Sequence, residues 1–163
     1  MEEKDKEKSL ESQYPSVDLA YDFVKLSYDW MVTRLEAINS KMQGLLMFSV
    51  TITVAIPVIA KSTFDNISFS SIWFIMAMVI FIFLVGIGIL GMRMGSIVMP
   101  HPKMLYDKYL YCSHWEFQKR TIYWAGEHFD KNKALIDKKA AFRDIMTFCL
   151  LIEILCIVIW IAI

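Results

Sequence analysis

The 163-residue chain balances 17 Lys and Arg against 17 Asp and Glu, yet 56% of its residues are hydrophobic and its mean hydropathy is +0.44. That composition excludes an ordinary soluble domain and points to an integral membrane protein. Its three cysteines, Cys112, Cys149 and Cys156, follow no framework spacing, which argues against a disulfide scaffold and predicts free thiols.

Residues 1–14 are charged or polar with a single leucine and bury too little apolar surface to offset the entropy of ordering them; a disordered tail without an apolar signal region is expected. Pro15 and Ser16 then open a cytoplasmic N-terminal helix over residues 15–43. Ser16 suits an N-cap, Asp18 and Asp22 complement the helix dipole, and no Gly or Pro intervenes before Gly44. Leu19, Phe23, Leu26 and Trp30 recur at spacings of three and four, so one face of this helix needs a partner helix or the membrane surface.

Residues 44–99 are expected to hold two spans. The first runs from Gly44 to Ala60, with Ser49 and Thr53 on one face at i and i+4. Pro57 leaves the Thr53 carbonyl without its usual helical donor and predicts a kink. After a polar link from Lys61 to Ser70, the second span covers about Ser71 to Leu90, and its helix is expected to continue so that Gly88, Gly91 and Gly95 form a packing stripe. Arg93 can snorkel to the headgroups.

Pro100 and Pro102 end that helix and open a cytoplasmic insert over residues 100–143, rich in aromatics and charge. Gly126 is its internal breaker, which predicts one helix from about Lys103 to Trp124 and a second running from about His128 into the last span. That span, residues 144–163, holds an unbroken apolar run from Ile145 to Ile163 that carries one carboxylate, Glu153, with Trp160 near its outer boundary. Its twelve Ile, Leu, Phe and Val side chains contribute roughly −4 to −7 kcal/mol to insertion against about +3 for the acid, so it inserts with the acid on board. Counted inward from the same side, Thr53 and Glu153 lie at nearly equal depth, so hydroxyl, freed carbonyl and carboxyl can meet.

With the N-terminus cytoplasmic and the C-terminus outside, Lys61 is the one external cation and the other sixteen Lys and Arg fall on the inner side, as the positive-inside rule requires. The pattern is all-α: an integral membrane protein with three transmembrane helices and cytoplasmic helical extensions, in contact with membrane lipid.

No catalytic signature is visible, and neither an enzyme, a cofactor nor a metal site is expected; Cys112 and His114 lack a second ligand pair. Glu153 has two readings. One places it, with Ser49, Thr53 and Pro57, at a pore or its gate, where copies of the acid attract cations. The other makes it a buried neutral joint bonded to Thr53 or to the carbonyl that Pro57 frees. The aromatic and basic residues divide likewise. Trp115, Lys119, Arg120 and Tyr123, or Lys25, Tyr28 and Arg34, can stack bases and neutralise phosphates, while aromatics at helical spacing also serve as core and cations near a bilayer as anchors.

The segments YDFVKLSYDWMVTRLEAINSKMQGLLMF and KALIDKKAAFRDIMTFCLLIEILCIVIW, with two closely spaced spans and an aromatic, charged insert between them, resemble small membrane effectors of bacterial anti-phage defence. The chain is most similar in design to the Hailong channel effector, with SLATT and Pycsar transmembrane effectors as more distant relatives. The resemblance covers most of the chain and rests on architecture. It implies a homo-oligomeric ion channel of the bacterial cell membrane, a tetramer, gated at its cytoplasmic helices by a nucleotide or single-stranded DNA oligomer from a partner nucleotidyltransferase and depolarising the cell when open. The alternative is a non-conducting membrane-anchored assembly subunit or scaffold.

Overall fold

The computed structural model describes residues 14–63, 68, 69, 71–99, 103 and 111–163. The tail ahead of Tyr14, Pro100, Pro102 and residues 104–110 of the insert lie outside them. Among the described residues the chain is all-α, with α1 at Val17–Thr63, α2 at Ile72–Arg93 and α3 at His114–Ala162. Each helix is long and apolar enough to cross a membrane.

The Ser16 carbonyl accepts the Ala20 amide at 2.9 Å and closes the first turn of α1, with Asp18 at its positive end and Lys61 at its negative end. The helix then runs through Gly44 and past the buried Pro57 to Thr63, beyond the Ala60 limit of the predicted span. α2 stops at Arg93, where the Met94 amide bonds Leu90 O at 3.2 Å. Gly95 therefore lies outside the helix, with no atom within 4 Å of where a Cβ would stand, and the expected three-glycine stripe shortens to Gly88 and Gly91.

α3 corrects a second expectation. It is one helix of 49 residues, about 74 Å by its rise, and passes through Gly126 without interruption. A lone glycine inside a helix costs about 1 kcal/mol relative to alanine, too little to break one whose neighbours are packed. Ala125, beside it, is 3% exposed.

Burial on α3 follows a seven-residue repeat: Gln118, Ala125, Asn132, Lys139, Met146, Glu153 and Trp160 are all buried. A strict heptad of buried positions keeps one seam of a helix facing a neighbouring helix. Four of its seven members are polar.

The chain divides into two compact units. The first is drawn from Met1–Thr33 and Ser96–Ala134, the second from Arg34–Gly95 and Leu135–Ile163. The first boundary falls ten residues before the 43/44 junction expected from hydropathy.

In the first unit, Tyr14, Tyr21 and Tyr28, seven residues apart, face Trp115, Phe117 and Trp124 with ring centroids 6.3, 6.4 and 6.1 Å apart. Contacts advance in the same sense along both helices, so here α1 and α3 run parallel. Gln118 Nε2 donates to Asp18 Oδ1 at 2.8 Å. Asn132 holds the segment after α2 as another peptide group would: its Oδ1 accepts the Val98 amide at 2.9 Å and its Nδ2 donates to Val98 O at 3.2 Å.

In the second unit large apolar side chains face outward, while four polar ones sit inside the mostly apolar core. Met47, Val54, Val58, Ile75, Val79, Ile82, Phe148, Leu151 and Leu155 are exposed, whereas Ser49, Thr53, Lys139 and Glu153 are buried. Apolar exposure of this extent suits acyl chains rather than water. Gly88 and Gly91 let the helices approach closely. A Cβ on Gly88 would stand 2.9 Å from Leu46 Cδ2, and one on Gly91 would meet Met42 Cε and stand 3.3 Å from Phe142 Cβ. Trp160 is 3% exposed and turns inward, where its Nε1 donates to Ser68 O at 2.9 Å and its ring stacks against Phe69 and Phe74. Trp160 is thus a packing residue of this unit, and the link carbonyl it bonds also accepts the Ser71 amide at 3.3 Å.

Candidate functional site

Two places combine chemistry-bearing residues, one in each unit. In the second unit, α1 presents Ser49 and Thr53 one turn apart toward Glu153 of α3. Ser49 Oγ donates to Glu153 Oε2 at 2.6 Å, and Thr53 Oγ1 donates to Oε1. The i, i+4 spacing places both hydroxyls on one helix face, so each takes one oxygen of the same carboxyl group. Glu153 and Ser49 are both 0% exposed, so neither carboxyl oxygen is open to a neighbouring copy in this arrangement. Pro57 lies buried one turn beyond Thr53. Hydroxyl donors of this kind are what an acid requires if it is to be buried without a cation beside it.

Two heptads before Glu153 lies Lys139, one cation of a charged run in the sequence. It is 2% exposed, its Nζ donates to Asn39 Oδ1 at 3.3 Å, and burial pushes its ammonium below the ordinary lysine range. It makes no ion pair among the described residues. The available signal was phase rather than hydrophobicity: Lys139 lies fourteen residues before Glu153.

In the first unit, Trp115, Lys119 and Tyr123 of α3 line a cavity of about 390 Å³ with Tyr14 and Ala20. Lys119 Nζ sits 5.1 Å from the Trp115 ring centroid and 5.6 Å from that of Tyr14, within cation–π range of both. The Trp115 indole N–H is buried with no acceptor among the described residues. A cavity with ring faces and a cation can take a planar, anionic ligand. Arg120 does not join it, being held by Glu116 on the exposed side of α3 at 2.5 Å.

The other proposed ligand set lies along α1. Lys25 and Arg34 are exposed, while the Tyr28 hydroxyl lies 3.5 Å from Ala125 O and accepts Asn132 Nδ2 at 3.4 Å. Burial raises the Tyr28 hydroxyl above its ordinary value, partly countered by the Asn132 bond. Gly88 and Gly91 pack helices, as described, and Gly95 does not. Among the described residues no three His, Cys, Asp or Glu side chains come together as metal ligands. No family model, curated protein or solved structure matches this chain, so its functional reading rests on these two sites.

Proposed function

We propose that the protein is a homo-oligomeric membrane pore of the bacterial cell membrane that acts as an anti-phage defence effector, with its N-terminus and insert cytoplasmic. A nucleotide or single-stranded DNA oligomer, made by a partner nucleotidyltransferase, binds the Trp115–Lys119 cavity and controls opening. Glu153 serves as a latch: while Ser49 and Thr53 hold it, α1 and α3 stay in register and the pore is closed. The observation that carries this reading is the carboxyl sunk in an apolar run and held by two hydroxyls. An acid at such depth is expensive and by default marks a working site.

The test is membrane potential, followed with a dye in cells expressing the protein or as ion flux from reconstituted vesicles. Glu153→Ala removes the latch and is expected to depolarise without signal, at least several-fold above the parent chain, while Glu153→Gln, which keeps one acceptor, falls between. Full polarisation in Glu153→Ala, with the protein inserted and helical by circular dichroism, would overturn the latch.

A specific observation favours a second reading. Glu153 is one of four polar heptad members on α3, and buried polar side chains at such positions set register. On that reading the protein is a non-conducting membrane scaffold. It predicts polarised membranes under every activating condition.

A further inference from the structure

α1 carries two faces. Met31, Ile38, Met42 and Ser49 are buried against the rest of the chain, whereas Leu19, Phe23, Leu26 and Trp30 are 73, 70, 69 and 57% exposed. The exposed four stand at spacings of four, three and four, the alternation of the a and d positions of a coiled coil. They precede the apolar span by about four turns or more and are flanked by charges, so lipid tails do not account for them. Continued along the same unbroken helix, the alternation lands on Thr33, Ala37, Ser40 and Gly44, all small and all exposed. Small residues there let a second helix approach closely.

The flanks identify the occupant. With Leu26 at d and Trp30 at a, the g positions hold Asp22, Asp29 and Glu36, and the e positions hold Ala20, Ser27, Arg34 and Lys41. In parallel strands each g residue meets the e residue five places further along its neighbour. Asp29 then meets Arg34 of a second copy and Glu36 meets its Lys41, opposite charges both times. Antiparallel strands would set acid against acid. Copies inserted in one orientation are parallel by necessity, so the charge pattern and the membrane make the same choice. An alternative occupant, the bilayer surface, offers the acidic flanks Asp22, Asp29 and Glu36 no fixed cation.

We infer that the exposed Leu19–Phe23–Leu26–Trp30 seam of α1 is the interface with a second copy of this chain, zipped in parallel by Asp29–Arg34 and Glu36–Lys41 pairs between copies. This goes beyond the pore reading and holds equally for a scaffold.

The test is disulfide cross-linking of the full chain in native membranes, with Cys112, Cys149 and Cys156 replaced by serine or alanine. Under mild oxidation Leu26→Cys is expected to give a covalent homodimer, at least fivefold more than Lys25→Cys on a non-seam face. In the Leu26→Cys background, Arg34→Asp lowers the yield several-fold, and adding Asp29→Arg restores it. Equal yields at positions 25 and 26, capture of a different protein at position 26, or no rescue by the charge swap would overturn the inference. So would cross-linking between Leu19→Cys and Trp30→Cys chains in preference to like with like, which marks an antiparallel pair. The assay reads assembly alone, so a polarised membrane with a strong cross-link rejects the pore and leaves this interface standing.

Discussion

A lysine ammonium is among the most costly groups to remove from water, and Lys139 is withdrawn from it with the Asn39 amide oxygen as its acceptor among the described residues. Burial lowers its proton affinity in the folded chain, whereas the unfolded chain keeps the ordinary value. Between the lowered value and the ordinary one, the unfolded state binds more protons, so stability rises with pH across that window. Below the window the folded chain bears the full cost of the buried charge, and above it none. Lys139→Met is therefore expected to stabilise the fold at pH 7 by on the order of 1 kcal/mol, seen as a higher melting midpoint, and to flatten the rise toward pH 10, read by thermal melts in detergent. Parallel pH dependences for parent and variant would show that the amine is not desolvated. Asn132 makes the opposite kind of burial, since its amide satisfies both polar groups of Val98 and nothing is left without a partner.

At the level of the helices, what matters about a glycine is the space around it. Gly126 is exposed, with nothing within 4 Å of where a methyl group would stand, whereas Gly91 is buried against Met42 and Phe142. The two should respond in opposite directions to the same chemistry. Gly126→Ala is expected to stabilise α3 by up to about 1 kcal/mol through helix propensity alone, seen as slower amide exchange around residues 122–130. Gly91→Leu overpacks the contact with Met42, which is 0% exposed, and with Phe142, whose Cβ stands 3.3 Å away, and should cost about 1–3 kcal/mol and lower the melting midpoint. A melting midpoint unaffected by Gly91→Leu would mean that α2 does not rest on α1 as described. The seven-residue repeat of α3 belongs to this scale as well. Gln118, Asn132, Lys139 and Glu153 each bond a specific partner, so sliding α3 along its neighbours would leave several buried polar groups unmatched at once.

For the molecule as a whole, the distribution of charge makes a topological prediction. Lys61 lies at the end of α1, and under the positive-inside rule the bias of the remaining cations predicts that the α1–α2 link faces out of the cell. In a background with the three native cysteines replaced, a cysteine at Ser62 should react with a membrane-impermeant maleimide in intact cells. One at Tyr111 should react only after permeabilisation. The reverse pattern would invert the assigned orientation, and labelling of both sites in intact cells would deny the spans.

How much of this was legible beforehand depended on the kind of information each feature carries. Three helices with apolar stretches long enough to cross a membrane follow from the sequence, because the cost of unsatisfied backbone in lipid acts on composition and length alone. Depth is also a linear quantity, so counting residues from one side sets Thr53 level with Glu153 before any fold is known. The face a side chain presents is different, since it depends on which helix lies beside which. Ser49 as the second donor to Glu153, Trp160 turned inward, the continuity of α3 through Gly126 and the burial of Lys139 were all decided by tertiary packing. The heptad that unites several of them was present in the sequence throughout, but most of its members are polar, and a search for hydrophobic periodicity passes over a buried seam held by hydrogen bonds.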